Sequence, residues 1–204
     1  MKKTQAIFLF LTGLLFFGFT PKNNQDEVKD YLNVPGPLTF DKTDYNLTWS
    51  SHPSDIYYMQ EYIPKGDNID KFKNMVLLNV IASDSLKLEA VVALKLAELT
   101  KLQKENPVIQ FKSYDNSNTG EHIIDFLLSA NEPDGKHLSF VERNVYRYKY
   151  FVDKSGQKGI LLFGVSTRAY GHDIYKFFSD LKEHRTEIIP KVGDFSVPEI
   201  TLTK

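Results

Sequence analysis

Between Val108 and Ala169 the chain alternates with a period of two and is broken by three turn signals. Val108–Tyr114 runs into Asn116–Gly120 (NSNTG), Glu121–Ala130 into Glu132–Gly135 (EPDG), and His137–Asp153 into Ser155-Gly156; Lys158–Ala169 closes the series. Successive strand residues point to opposite faces, so alternation with Gly- and Asn-rich breaks is what consecutive hairpins require. This stretch predicts a four-stranded antiparallel meander, and whatever else the chain builds must cover it.

The preceding residues supply more strands and a helix. Tyr45–Trp49 reads as a strand, as does Ile56–Ile63 (IYYMQEYI), which Pro64-Lys65-Gly66 stops. A short helix is predicted from Asp67 or Asn68 to Lys73, with Ile69 and Phe72 on one side, and Met75–Ala82 reads as a buried strand. Asp84–Glu105 holds no Gly or Pro, and Leu88, Val92, Leu96 and Leu99, widened by Val91 and Leu102, form one apolar stripe. Lys87, Glu89, Lys95, Glu98, Lys101 and Lys104 are expected off that stripe. A last helix is predicted from Gly171 or His172 to about Ile188, with Ile174, Phe177, Phe178, Leu181 and Ile188 inward and Pro190 ending it. Strands and helices do not alternate throughout, which disfavours a doubly wound parallel sheet. The expected fold is α+β, a mainly antiparallel sheet of about six strands packed with two or three helices.

The N-terminus sets the expected location. Lys2 and Lys3 precede Ala6–Phe19, which carries no charge and is shorter than the ~20 residues of a bilayer span. Residues 1–20 are therefore expected to be a signal peptide, with a retained N-terminal anchor as the other reading. Residues 21–42, broken by Pro35, Gly36 and Pro37, read as a polar tether, and residues 43–204 as one α+β domain. The expected destination is the periplasm or the cell exterior, with no stable membrane span once the leader is removed. Loss of Lys2 and Lys3 leaves 23 basic against 26 acidic residues, a formal charge of -3. That balance and the expected export argue against a nucleic-acid partner. The absence of Cys excludes disulfides, thiolate nucleophiles, Cys-zinc sites and lipoprotein anchoring through Cys.

Motifs for catalysis are missing. The chain has no G-x-G-x-x-G, Walker loop, G-x-S-x-G or H-E-x-x-H, and His52, His122, His137, His172 and His184 are scattered. No catalytic residue, metal ligand or cofactor is nominated. Asp125 and Glu142 are expected to approach each other across a hairpin, where an ion pair with a nearby Arg is the simpler outcome.

The segment Glu142–Tyr150 (ERNVYRYKY) gives the one candidate site. If Ser155-Gly156 is a two-residue loop, Arg147 lies opposite Gly164 and Arg143 opposite Arg168. Arg143, Arg147, Lys149, Arg168 and Ser166 then share a face, with Tyr146, Tyr148, Tyr150, Leu161, Phe163 and Val165 forming a core on the other. Like charges in register need an anion. A protein carboxylate such as Asp125 or Glu121 is one candidate. The other is a bound carboxylate, phosphate or sulfated glycan, held by Arg143, Arg147 and Arg168 with hydroxyls from Ser166 and Tyr170. A one-residue slip of register removes Arg168 from the cluster.

The segment Tyr57–Met75 (YYMQEYIPKGDNIDKFKNM) resembles a pattern in exported bacterial proteins of unknown role, a strand ending in "EY-P-G" that enters a short helix carrying an aromatic. The order of elements over residues 45–190 is similar to the PsbP-like α/β/α sandwich. That resemblance implies an accessory or binding role without catalysis. The expected function is thus an exported bacterial binding or accessory protein whose partner is another envelope protein or a small anionic ligand. The alternative is an exported hydrolase using carboxylates or a histidine dispersed through the chain.

Overall fold

The computed structural model describes residues 28–203. The expected leader over 1–20 and the first residues of the expected tether lie outside the described residues. Eight strands form one sheet: β1 (Leu38–Phe40), β2 (Thr43–Ser54), β3 (Tyr57–Pro64), β4 (Asn74–Ile81), β5 (Phe111–Asn116), β6 (Glu121–Asn131), β7 (Leu138–Val152) and β8 (Lys158–Tyr170). Their order is β1-β2-β3-β4-β8-β7-β6-β5, and every neighbouring pair is antiparallel. Two four-stranded meanders are thus joined through their last strands, with Val76 opposite Val165 and Leu78 opposite Phe163.

Three α-helices occur among the described residues, α1 (Leu88–Glu105), α2 (Asp173–His184) and α3 (Ile188–Asp194), and the short helix expected from Asp67 or Asn68 is a single 3-10 turn over Ile69–Lys71 capped by Asn68. From the end of β4, at mid-sheet, the chain must reach β5 at the far edge. It does so as α1, which crosses one face and covers the second meander. Leu88, Val91, Val92 and Leu99 of α1 pack there against Leu77, Ile124, Phe126, Tyr146, Tyr148 and Ile160. Full burial of one such aliphatic side chain contributes about 1.5–3 kcal/mol.

The opposite face is covered by both ends of the described chain, and we call it the tail face. Leu32 and Val34 from the N-terminal side, and Val192, Phe195, Val197, Ile200 and Leu202 from the C-terminal side, close over Tyr58, Tyr62, Val76, Leu78, Phe163 and Val165. Buried Gln60 fixes this cover. Its Oε1 accepts from Leu32 N at 2.8 Å, its Nε2 donates to the Tyr62 hydroxyl at 2.6 Å, and that hydroxyl donates to the Val34 carbonyl at 2.7 Å. Thr201 N and Thr203 N donate to the carbonyls of Leu32 and Tyr31, tying the two ends together.

The α+β class and antiparallel sheet agree with the sequence reading, but the sheet has eight strands rather than about six. β1 was hidden because three residues are too few to show periodicity, and it forms only by pairing with β2 through a turn at Asp41-Lys42. Both turn residues adopt positive φ (46° and 67°), the requirement of a type I′ hairpin. The described part of the expected tether is likewise packed: Leu32, Val34, Leu38 and Phe40 belong to the core. Its Pro and Gly residues shape the chain without freeing it from the sheet. The last helix is two helices, because Pro190 sits in the first turn of α3, where the missing N–H has no helical partner to lose. α2 buries none of its residues fully, so Ile174, Phe177, Phe178 and Leu181 are only half-buried. No helix among the described residues is long and apolar enough to cross a membrane.

Gly159 shows how closely the meanders meet. A Cβ there would collide with the Ile81 carbonyl oxygen of β4 and lie 2.8 Å from the Phe151 ring. Gly159→Ala is expected to destabilise the protein by about 1–3 kcal/mol, the range for overpacked interiors. Gly193→Ala in α3 meets only Ile123 at 3.6 Å and should be neutral or stabilising by up to ~1 kcal/mol. Urea unfolding of both variants checks the pair.

Candidate functional site

The β7–β8 loop decides where the charged side chains go. It is five residues long, because Val152 pairs with Lys158 and Asp153 N donates to the Gln157 carbonyl at 2.9 Å. Asp153 builds it: Oδ1 accepts from Ser155 N (2.8 Å), Ser155 Oγ (2.7 Å) and Gln157 N (2.8 Å). Gly156, at φ 88°, completes the turn in a region that disfavours other residues. The register is therefore one residue from that of a two-residue loop. Arg168 lies opposite Glu142, Thr167 opposite Arg143, and Phe163 opposite Arg147.

This shift divides the five residues expected to form one pocket. Arg143 and Arg147 point to the tail face, whereas Arg168, Ser166 and Tyr170 share the α1 face with Tyr146 and Tyr148. The expected joint core of those tyrosines with Leu161, Phe163 and Val165 divides the same way. Gly164 faces α1, not Arg147, and Leu77 and Tyr146 close over it.

On the tail face the arginines have internal acceptors. Asp125 is fully buried, and it accepts from Arg143 Nε at 2.9 Å, Arg143 Nη2 at 3.2 Å and Arg185 Nε at 2.9 Å. Arg143 also donates to the Arg185 carbonyl. Arg147 donates to the carbonyls of Gly193 and, at 2.7 Å, Phe195. These acceptors close α3, where helical carbonyls lack partners and carry partial negative charge. Arg143 and Arg147 thus hold the C-terminal segment on the sheet.

A second polar network crosses the α1 face. Glu142 accepts from Arg168 Nε at 2.6 Å and Asn144 Nδ2 at 2.9 Å, and Ser166 Oγ donates to Asn144 Oδ1 at 2.6 Å. The Arg168 guanidinium lies between the rings of Phe72 (4.2 Å) and Phe140 (4.5 Å), and Tyr170 donates to the Phe72 carbonyl. Lys95, expected off the helix stripe, is buried beneath α1, 3.2 Å from Glu98 and over the Phe126 ring. Burial pushes its ammonium pKa down, and Glu98 opposes that shift. Glu61 is half-buried beside this network. Burial, then the charge of Glu142, raise its pKa to about 7, while Arg168 pulls it down. A carboxyl in the apolar strand reading IYYMQEYI is the signal for this residue, and for Lys95 it is the spacing Leu88, Val92, Lys95, Leu99 (i, i+4, i+7, i+11), which puts the lysine on the apolar stripe.

A cavity lies elsewhere, at the end of the tail face where the β2–β3 turn, the β7–β8 loop and the C-terminal tail meet. It measures about 290 Å³ and is lined by Asp55, Ile56, Tyr58, Ala82, Asp153, Ser155, Gln157 and Leu202. Tyr58 is 2% exposed, and its ring stacks on His52 at 4.0 Å. Burial raises the Tyr58 pKa, and the charges of Asp55 and Asp153 raise it further, so its polar end lies within their field. Asp153 is buried; burial alone would raise its pKa, but hydrogen bonds from the Ser155 hydroxyl and the N–H groups of Gln157, Leu202 and Ser155 outweigh burial and hold it low. Asp55 is exposed at the mouth. A smaller hollow of about 140 Å³ lies between Tyr114, Asn116, Glu121 and Gly193. None of the five residues nominated from sequence lines either cavity. The order Asp-x-Ser-Gly-x marks the loop in the sequence, but only the tertiary fold brings Tyr58 to it.

A protein-family model matches residues 32–197. No curated protein and no solved structure matches the chain. Nothing in these comparisons supports the PsbP-like resemblance or relatives among exported proteins.

Two measurements check the electrostatics. Asp125→Asn leaves two arginines facing a neutral amide and should cost about 3–5 kcal/mol, as for a broken buried ion pair; urea unfolding reads it. For Glu61, the folded state keeps a proton that the unfolded chain releases near 4.5. Its contribution is fully present below pH 4.5 and is lost as pH rises through about 7. Glu61→Gln should therefore gain stability relative to wild type between pH 4.5 and 8, seen as a rising difference in unfolding free energy.

Proposed function

The chain belongs to that uncharacterised family, and we propose that it is an exported, non-catalytic binding protein that takes a small ligand in the 290 Å³ cavity. One observation carries the reading: the cavity brings Asp55, buried Asp153 and Tyr58 together with an apolar wall of Ile56, Ala82 and Leu202. Ligand sites in folded proteins pair an apolar wall with a few convergent polar groups, and this lining has both. The strongest charged groups elsewhere are committed to one another, as in Asp125 with Arg143 and Arg185, and Glu142 with Arg168. Such closed pairs position chain segments. The export component rests on Lys2, Lys3 and the uncharged run Ala6–Phe19.

A second reading, an exported hydrolase with dispersed carboxylates, is favoured by Glu61. A carboxyl titrating near 7 beside Glu142 has the protonation state that a general acid needs. It predicts turnover on a panel of chromogenic esters and glycosides that Glu61→Gln abolishes.

The binding reading is tested by a fragment screen on the purified protein, read by amide resonance shifts. Binders are expected to move the resonances of Ile56, Tyr58, Ala82 and Gln157. Ala82→Phe, which fills the cavity, should remove those shifts while leaving the remaining spectrum folded. Absence of any binder at these residues, or binders indifferent to Ala82→Phe, would refute it.

A further inference from the structure

Resting on the reading that this cavity is a binding site, we infer that its ligand is a small organic cation, an ammonium group carried on a short aliphatic chain. The lining sorts into two halves. Asp55, Asp153, Tyr58, Ser155 and Gln157 supply oxygen and amide groups, and Ile56, Ala82 and Leu202 supply an apolar wall. Two of the polar residues are carboxylates and none of the lining residues is Lys, Arg or His. Lys154, the nearest cation in sequence, is drawn to Glu199 at 3.0 Å. An anion entering the cavity would meet two like charges with no cationic side chain in the lining to offset them.

The Asp153 carboxylate is held in place before any ligand arrives. Oδ1 accepts three hydrogen bonds from the loop, and Oδ2 accepts only a long one from Leu202 N at 3.4 Å. Oδ2 therefore retains acceptor capacity on the side of the tail. An ammonium group has three donors and no acceptor. It can be shared by Asp153 Oδ2, Asp55 and the Tyr58 hydroxyl oxygen. Charge-assisted bonds of this kind are stronger than neutral ones.

The apolar wall distinguishes an alkylammonium from a bare metal ion. Calcium takes six to eight oxygen ligands and magnesium demands near-octahedral oxygen geometry. No group of three or more metal-ligating side chains occurs among the described residues. Ile56, Ala82 and Leu202 instead offer the contacts that methylene groups require. The volume sits just below the ~300–1,000 Å³ typical of drug-sized ligands, which suits a molecule of a few carbons.

Calorimetry and amide resonance shifts with putrescine, n-butylamine, butane-1,4-diol and butyrate test the assignment. The two amines are expected to bind and to move the Ile56, Ala82 and Gln157 resonances, and added salt should weaken them. The diol and butyrate should not bind. Asp55→Asn, an exposed turn position, should weaken amine binding about tenfold, the effect of losing one charge-assisted hydrogen bond. Tyr58→Phe should weaken it by a smaller factor and leave the fold intact. Binding of the diol or butyrate at these resonances as tightly as the amines would overturn the cationic ligand while preserving the binding site. Amine binding unchanged by both Asp55→Asn and Ala82→Phe would overturn the placement. If neither these probes nor the fragments reach the cavity, the binding reading itself fails.

Discussion

A single carboxylate, that of Asp153, carries more of this structure than any other group. By accepting three hydrogen bonds within its own loop it makes the β7–β8 connection five residues long. Loop length sets hairpin register, and a one-residue change of register sends every side chain of a strand to the other face. The partition of Arg143 and Arg147 from Arg168 therefore follows from the Asp153 loop. The same carboxylate also accepts from Leu202 N and forms part of the wall of the 290 Å³ cavity. Local turn chemistry, strand register, tail docking and cavity charge meet at one residue.

The two sheet faces solve the problem of buried charge in parallel. On the tail face, Asp125 gathers Arg143 and Arg185, while Arg147 reaches the carbonyls that end α3. On the α1 face, Glu142 with Arg168 and Lys95 with Glu98 lie among aromatic rings. Such pairs add little net stability compared with apolar packing, because desolvation offsets most of the attraction. Their effect here is positional: Asp125 with Arg185, and Arg147 with the carbonyls of Gly193 and Phe195, tie the C-terminal chain to the strands, whereas Glu142 with Arg168 joins β7 to β8 and Lys95 with Glu98 lies within α1. Glu61 stands apart, with burial and a neighbouring carboxylate both favouring its protonated form.

Much of the architecture was legible in the residues. The meander from β5 to β8 followed from period-two alternation and three turn signals, and α1 from its uninterrupted apolar stripe. Less visible were features that depend on partners. β1 is three residues long and exists only against β2. Lys95 falls inside the apolar stripe on a helical projection, four residues before Leu99 and three after Val92, and only the tertiary structure shows Glu98 and the Phe126 ring receiving its charge beneath the helix. The anion for Arg143 was foreseen in Asp125, whereas its second arginine, Arg185, lies 60 residues away in sequence and gave no sign. Tyr58 read as one more β-prone aromatic, and became significant only with the cavity around it.

The amino-acid sequence alone determined the second meander and the long helix α1, that the sheet is mainly antiparallel, and which metal and thiol chemistries the lack of cysteine rules out. Those outcomes rest on local propensity and on periodicity, both of which act within a few residues. Tertiary structure decided the strand count, the face to which each arginine belongs, and where the cavity lies. Both faces of this sheet are covered, so alternation does not distinguish one register from its neighbour: apolar side chains find a core either way. Only the hydrogen bonds of a five-residue loop, and the segments that fold over it, select between them.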